Sequence, residues 1–425
     1  MGLRTLRVPL ILSLLAFGVI AGAETTYVVE DREGYNAWPM IATLGDRLVI
    51  SYSRGKAHNV FETCRDALVR TSTDGARTWT PERVFAGSAQ GSELAEGAGH
   101  DAKGNLLFWV LCRNKSRVTH ELYRSSDAVR FERIAVPKLE PVPIQMMDIV
   151  PVPGLGLVSL WFAGSYRSDG GHRWGYLLSE DDGATWRQVT VGRDLGKADW
   201  PTEPSLVWLG GSRLLALARV EPLADKSRAS LLQLQSDDFG KTWRMSRTAV
   251  TDVQQSTPAL LYDAASDLLT LYYFQRGAAL MKRRTATAVD AWNSPLTAWS
   301  APKIVAYGRK CRPHDSGNVK AVRLGNSDYL AYYAGDERNV SVLVSVVGKG
   351  ETPPDSLEGR RVLFTGAYEA AAVREFARTN RCEALLYPTR KEAYRHHPAG
   401  AFAREHVRPA FSLPAPGALG AEPSL

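Results

Sequence analysis

STDGARTW at 72–79, SEDDGATW at 179–186 and SDDFGKTW at 236–243 are three copies of one pattern, placed too far apart to belong to a single turn or helix. Its chemistry is local. The aspartate carboxylate can accept backbone N–H groups across a tight turn, glycine tolerates positive φ, and the tryptophan folds back as a large apolar plug. Each copy is therefore expected to close a β-hairpin. Weaker copies at 125–131 (SSDAVRF) and 285–292 keep a serine or threonine and an aromatic residue but lose the glycine. The series repeats at roughly 50–60 residues, the span of a four-stranded propeller blade, and about six units fit between the leader and residue 348.

This S-x-D-x-G-x-T-W pattern on repeated blades resembles the Asp boxes of the sialidase (neuraminidase) superfamily of six-bladed β-propellers. The first copy departs from it, because Gly75 comes one place early. The resemblance covers roughly residues 25–348 and implies an all-β fold, a six-bladed β-propeller of the sialidase type. Boxes at the blade periphery speak to fold and not to activity, since they also occur in propellers without catalysis.

Residues 1–23 carry Arg4 and Arg7, then an apolar run to Ile20, then Ala21-Gly22-Ala23. That order is the order of a cleaved export signal, and the apolar run is short for a bilayer span. The expected location is secreted or periplasmic, with no stable membrane insertion after cleavage. Residues 24–348 form the expected propeller, 349–408 a small α/β extension of β-α-β-α order, and 409–425, rich in Pro, Ala and Gly, a disordered tail. His396-His397 reads as surface, because adjacent histidines on one exposed helix rarely face the same ion. Cys64, Cys112, Cys311 and Cys382 allow three full pairings; Cys64 and Cys112 fall on consecutive blades, and their pairing stays open against buried free thiols. The net charge of +7 on 425 residues favours anionic partners, but the basic residues are scattered and form no nucleic-acid stripe.

The clearest hairpin runs over 204–219, with Gly210-Gly211 at its turn, so Glu203 and Arg219 should emerge together at one end. In a propeller that end lines the axial pocket. A glutamate followed sixteen residues later by an arginine is similar to the sialidase pair that activates the nucleophile and binds the substrate carboxylate. Applied to the other blades, the same folding brings Arg54 and His58 (first blade), Arg276 (fifth) and Asp315 and Asn318 (sixth) to that end, with Glu96 and Asp148 as weaker candidates. Glu203, Asp315 and His58 are the expected catalytic residues; Arg54, Arg219, Arg276 and Asn318 are the expected substrate contacts. Arginine forks grip a sugar carboxylate in bidentate fashion, and two acidic groups flanking a glycosidic bond can serve as acid and as base or nucleophile.

The family's first arginine is absent, because the corresponding stretch reads Ala37-Trp38-Pro39. Its tyrosine nucleophile is absent too, with Asn318 at that place, and near Phe61, where its acid/base aspartate would fall, only His58, Glu62 and Asp66 can titrate. Three functions follow: a glycoside hydrolase of exo-α-sialidase-like type acting on acidic glycans through carboxylates, a polysaccharide lyase with His58 or a tyrosine as base, and a propeller that binds glycan without cleaving it. No cofactor or metal is expected in the chemistry; a structural calcium stays open.

Overall fold

The computed structural model describes residues 25–58, 65–114, 117–221, 230–253, 256–276, 280–307, 315–336, 339–348, 361–365, 374, 377–378, 383–387 and 406–409. Alternating apolar runs and tight turns give successive four-stranded antiparallel meanders. Blade one holds β2 (Gly34–Leu44), β3 (Arg47–Gly55), β4 (Asp66–Ser72) and β5 (Arg83–Ala86). Blade two holds β6 (Ser92–His100), β7 (Leu106–Arg113), β8 (Val118–Ser125) and β9 (Glu132–Ala135). Blade three holds β10 (Gln145–Val152), β11 (Gly156–Ala163), β12 (His172–Ser179) and β13 (Arg187–Leu195). Blade four holds β14 (Thr202–Trp208), β15 (Leu214–Arg219), β16 (Leu232–Ser236) and β17 (Arg244–Arg247). Blade five holds β18 (Pro258–Asp263), β19 (Leu268–Gln275), β20 (Leu280–Thr287) and β21 (Lys303–Tyr307). Blade six is built from both ends of the propeller. β22 (Ser316–Leu324), β23 (Ser327–Asp336) and β24 (Asn339–Gly348) are completed by the N-terminal strand β1 (Thr25–Glu30), which pairs antiparallel with β24 from Thr25↔Val346 onward. The ring is thus clasped by backbone hydrogen bonds between sequence-distant strands.

Apolar clusters fill the interfaces between blades in cyclic order, so no blade carries a core of its own. Leu160, Phe162 and Trp200 meet Leu206 and Leu234 between blades three and four. Ile50 and Leu68 meet Tyr329 and Val344 between one and six, the interface that closes the circle.

The three boxes close the hairpins β4–β5, β12–β13 and β16–β17. In the third, Asp238 accepts from the Thr242 amide (2.9 Å) and hydroxyl (2.6 Å), and Ser236 Oγ accepts from the Gly240 amide (2.8 Å). Two successive residues adopt positive φ in every copy: Gly75 and Ala76, Asp182 and Gly183, Phe239 and Gly240. Either place accepts glycine, which is why the first copy tolerates Gly75 one position early. Each box tryptophan packs toward the preceding blade, Trp186 against Trp109 at 5.1 Å and Trp243 against Trp174 at 5.6 Å. The copy at 125–131 makes a shorter turn, with Ala128 alone at positive φ and Asp127 accepting from the amides of Val129 and Arg130. On blade five the box is replaced by a short helix, α1 (Ala288–Asn293), capped by Thr287 and gripped by Gln233 and Gln235 of blade four through the carbonyls of Ala291 and Trp292.

Beyond the propeller, β25 (Arg361–Thr365), β26 (Glu383–Tyr387) and β27 (His406–Pro409) form a parallel sheet in the order β26-β25-β27. The first two strands fall on the expected apolar runs. The third begins at the end of the expected segment 391–407, whose residues 391–405 lie outside the described ones. His396, His397 and residues 410–425 lie outside the described residues. Cys112 is a free thiol, while Cys64, Cys311 and Cys382 also lie outside them. Among the described residues no helix is long and apolar enough to cross a membrane.

Candidate functional site

Inner strands of five blades share one irregularity. The register of β2 with β3 slips between Ala37 and Met40, that of β6 with β7 between Ala95 and Gly97, and that of β10 with β11 between Met146 and Ile149. It slips again between Thr202 and Ser205 in β14 and between Gly317 and Lys320 in β22. A bulge re-aims the residue it contains, and here the bulges hold Trp38, Glu96, Asp148, Glu203 and Asn318. Trp38, Glu203 and Asn318 take positive φ of 54°, 48° and 48°. Such backbone is unfavourable for residues other than glycine and clusters at functional sites.

Two of these bulge residues are consumed by the scaffold. Asp148 accepts from Lys320 Nζ at 2.7 Å, a bond between blades three and six across the axis, and from the Ala98 amide at 3.1 Å. Glu96 accepts from the buried His120 (2.5 Å) and from the Met146 amide (3.0 Å). Burial alone would pull the His120 pKa down, but Glu96 outweighs it and raises it.

On blade four, Thr202 pairs with Arg219, and the expected neighbours meet: Arg219 Nη1 donates to Glu203 Oε2 at 2.5 Å. Arg219 also donates to Glu221 through Nη2. All three residues are buried. Burial works against the charged guanidinium, yet Glu203 and Glu221 outweigh it and raise its pKa. Tyr166, in the turn after β11, couples to the same group; its ring packs on Trp200 at 5.3 Å and remains two-fifths exposed.

Blades one and six supply the second centre. The Tyr35 hydroxyl donates to Asp315 Oδ1 at 2.9 Å and shares a short hydrogen bond with His58 Nδ1, which lies 3.7 Å from the same carboxylate oxygen. Tyr35 and Asp315 are buried, whereas the His58 side chain is half-exposed. A hydroxyl carries one proton. If it goes to Asp315, the Tyr35 oxygen accepts from His58, which fixes the Nδ1–H tautomer and leaves Nε2 as the basic nitrogen. Burial, with Tyr333 and Asp315, holds the Tyr35 pKa well above the ordinary phenol value. The Arg65 guanidinium lies 4.8 Å from the Trp38 ring and donates to Ser53 Oγ at 3.1 Å.

Tyr333, its ring 6.3 Å from those of Tyr35 and Trp38, is fully buried, its hydroxyl without a hydrogen-bond partner. Its pKa is pushed up to about 12 by burial, then by Glu203 and Asp315, against the pull of Arg276 and Arg219. The same side chain thus senses both centres. Arg276 donates through Nε to the Ser316 carbonyl (2.8 Å) and through Nη2 to Asn318 Oδ1 (3.1 Å).

The structure therefore groups Glu203 with Arg219, His58 with Asp315, and Arg276 with Asn318. Arg54 is the exception and corrects the expectation of a convergent arginine set. It donates to Asn36 (2.9 Å), to Glu82 (2.6 and 2.7 Å) and to Glu30 (2.8 Å), in a cluster that includes Arg32 and Arg70. These cations hold the Glu30 and Glu82 carboxyls at about 2 despite burial. The strand period explains the split: Arg54 and Ser53 face opposite sides of β3, and Ser53 faces Arg65. Sequence reading passed over Glu221, Tyr35, Tyr333, Tyr166 and Arg65. Glu221 had a signal, because it lies two residues after Arg219 on the same face. Tyr35, Tyr333 and Tyr166 are brought in by contacts between blades, and Arg65 by its fold back onto Ser53 and Trp38 of its own blade. Phe61 and Glu62 lie outside the described residues, and those residues contain no metal-ligand cluster.

No family model matches the sequence, and no curated protein matches it. Solved structures do. A protein of unknown function from Dyadobacter fermentans DSM 18053 is similar at a TM-score of 0.61 and 17% identity, over 78% of this chain and 100% of that one. The Hadza microbial sialidase Hz136 is similar at 0.59 and 15%, over 75% of this chain and 66% of its own. The NanB sialidase from Streptococcus pneumoniae is similar at 0.56 and 12%, over 77% and 70%. At these identities the likeness establishes the fold: a six-bladed β-propeller of the sialidase type.

Proposed function

We propose that the protein is a glycoside hydrolase that works with two carboxylate centres, Asp315 with Tyr35 and His58 on one side and Glu203 with Glu221 on the other. The observation that carries this reading is the Tyr35 hydroxyl bridging His58 and the buried Asp315 carboxylate, with a second pair of buried carboxylates, Glu203 and Glu221, held by Arg219. Two acidic groups on opposite sides of a sugar ring are what glycoside hydrolysis requires, one to protonate the leaving oxygen and one to act as base or nucleophile. The His58–Tyr35–Asp315 chain can move a proton between solvent and the buried carboxylate. Arg219 orients the glutamates, and Arg276 with Asn318 would contact substrate.

An acidic sugar remains the proposed substrate class, with Arg276 as its cation. Arg54 is spent in the blade-one cluster and Arg219 between two glutamates, so a three-arginine grip is not part of the proposal. Solved relatives titled sialidases support a glycan ligand at the level of fold. The leader at 1–23 supports export. The direct Tyr35–His58 contact favours a second reading, a polysaccharide lyase in which that pair abstracts and returns a proton.

The test is release of reducing sugar from sialosides and uronic-acid polymers by the wild type, Glu203→Gln and Asp315→Asn. A loss of about 10²–10⁴-fold in both variants is expected. Unaltered turnover in either would place the chemistry elsewhere, an ultraviolet-absorbing unsaturated product would select the lyase, and binding without turnover by all three proteins would make it a glycan-binding propeller.

A further inference from the structure

A cavity of about 320 Å³ opens on blade two, where β6 begins and β7 ends. It is of the size that small-molecule sites begin at, about 300 Å³. All four strands of blade two contribute polar groups: Glu93 from β6, Cys112 and Arg113 from β7, Glu121 and Tyr123 from β8, and Arg133 from β9. Glu93 is the unusual member. It is only 6% exposed, its Oε1 accepts from Ser88 Oγ at 2.8 Å, and its Oε2 has no hydrogen-bond partner. Leaving a buried polar atom unsatisfied costs about 1–3 kcal/mol, and such atoms in native proteins call for a reason.

The opposite wall is organised. Glu121 accepts from the Tyr123 hydroxyl at 3.1 Å and from Arg133 at 3.2 Å. Burial, with Asp66 and Glu121, raises the Glu93 pKa. Glu93 and Glu121 share the wall with Arg113, Arg117 and Arg133, so charges of both signs face the cavity. A hydroxyl-rich neutral ligand suits both sets, donating to carboxylates and accepting from guanidinium groups. The cavity is tied to the axial site by one residue. The Glu93 amide donates to the Arg65 carbonyl at 2.8 Å, and the Arg65 guanidinium lies against Trp38.

We propose that this cavity is a second glycan subsite, which takes one neutral sugar unit of a chain whose neighbouring part occupies the axial site, with Glu93 as its central hydrogen-bonding group. The proposal rests on the glycan reading above, but its test is independent of turnover. Cys112 lies in the wall; burial, with Glu121 and Glu93, holds its thiol well above the ordinary value, so occupancy is read through its slow alkylation by excess iodoacetamide at alkaline pH, followed by peptide mapping in the presence of D-galactose or D-glucose. A hexose at about ten times its Kd should slow that alkylation about tenfold. Glu93→Leu should abolish the protection, and Arg133→Ala, a change at an exposed side chain, should weaken it. Glu203→Gln should leave it intact. Protection without hydrolysis of any glycan would sink the hydrolase reading and keep the subsite; hydrolysis without protection would do the reverse. Protection undiminished in both blade-two variants, or produced by inorganic phosphate or methylammonium and by neither hexose, would overturn the subsite.

Discussion

Replacing Arg219 by methionine removes the guanidinium that Glu203 and Glu221 share and leaves two buried carboxylates without it. Breaking a buried ion pair from one side costs about 3–5 kcal/mol, because the partner charge stays buried. Without the guanidinium, two buried carboxylates stand close together with no counter-charge. Urea unfolding followed by tryptophan fluorescence reports on the propeller alone, since all eleven tryptophans lie between residues 38 and 299. With a slope of about 3 kcal/mol per molar urea, the midpoint should fall by about 1–1.7 M at neutral pH. Adding Glu203→Gln and Glu221→Gln should recover most of the loss. A midpoint shift under about 0.3 M would mean that the glutamates are hydrated and that no preorganised carboxylate centre exists.

Tyr35→Phe deletes the hydroxyl between His58 and Asp315 while keeping the ring; turnover should drop about 10²-fold with a displaced pH–rate profile, and an unmoved profile would remove His58 from the proton path. The boxes carry an acid-labile contribution, because Asp74 and Asp238 are held at about 2, chiefly by the Thr78 and Thr242 hydrogen bonds. A depressed carboxylate stabilises above its unfolded value and loses that contribution as pH falls through its folded value. Asp74→Asn with Asp238→Asn should thus lower Tm at neutral pH and converge with the wild type near pH 2; a gap that persists in acid would show that the boxes act through packing alone.

Box residues reveal the fold because their interactions are local. Ser236, Asp238, Gly240 and Thr242 satisfy one another within seven residues, so their spacing carries the geometry with it. The Glu203–Arg219 pair was legible for a related reason: a hairpin with a Gly210-Gly211 turn sets its register, and register puts Thr202 opposite Arg219. The same logic placed Arg276 and Asn318 together through adjoining blades. It failed for Arg54, because a one-residue change of strand face turns a pocket residue into a member of an ion cluster, and the partners that decide the matter, Glu30 and Glu82, come from β1 and from the chain after the first box.

By itself, the sequence determined the repeating hairpin, its turn chemistry, the blade count and the strand ends at which charged residues gather, all of them set by interactions between residues close along the chain. Tertiary structure alone decided which charges remain for chemistry. Lys320 neutralises Asp148 across the axis, His120 takes up Glu96, and Tyr35 joins His58 to Asp315 over a separation of 280 residues. The first and last of those pairings depend on closing the ring through β1 and β24, and ring closure brings together side chains whose distance along the chain bears no relation to their distance in space.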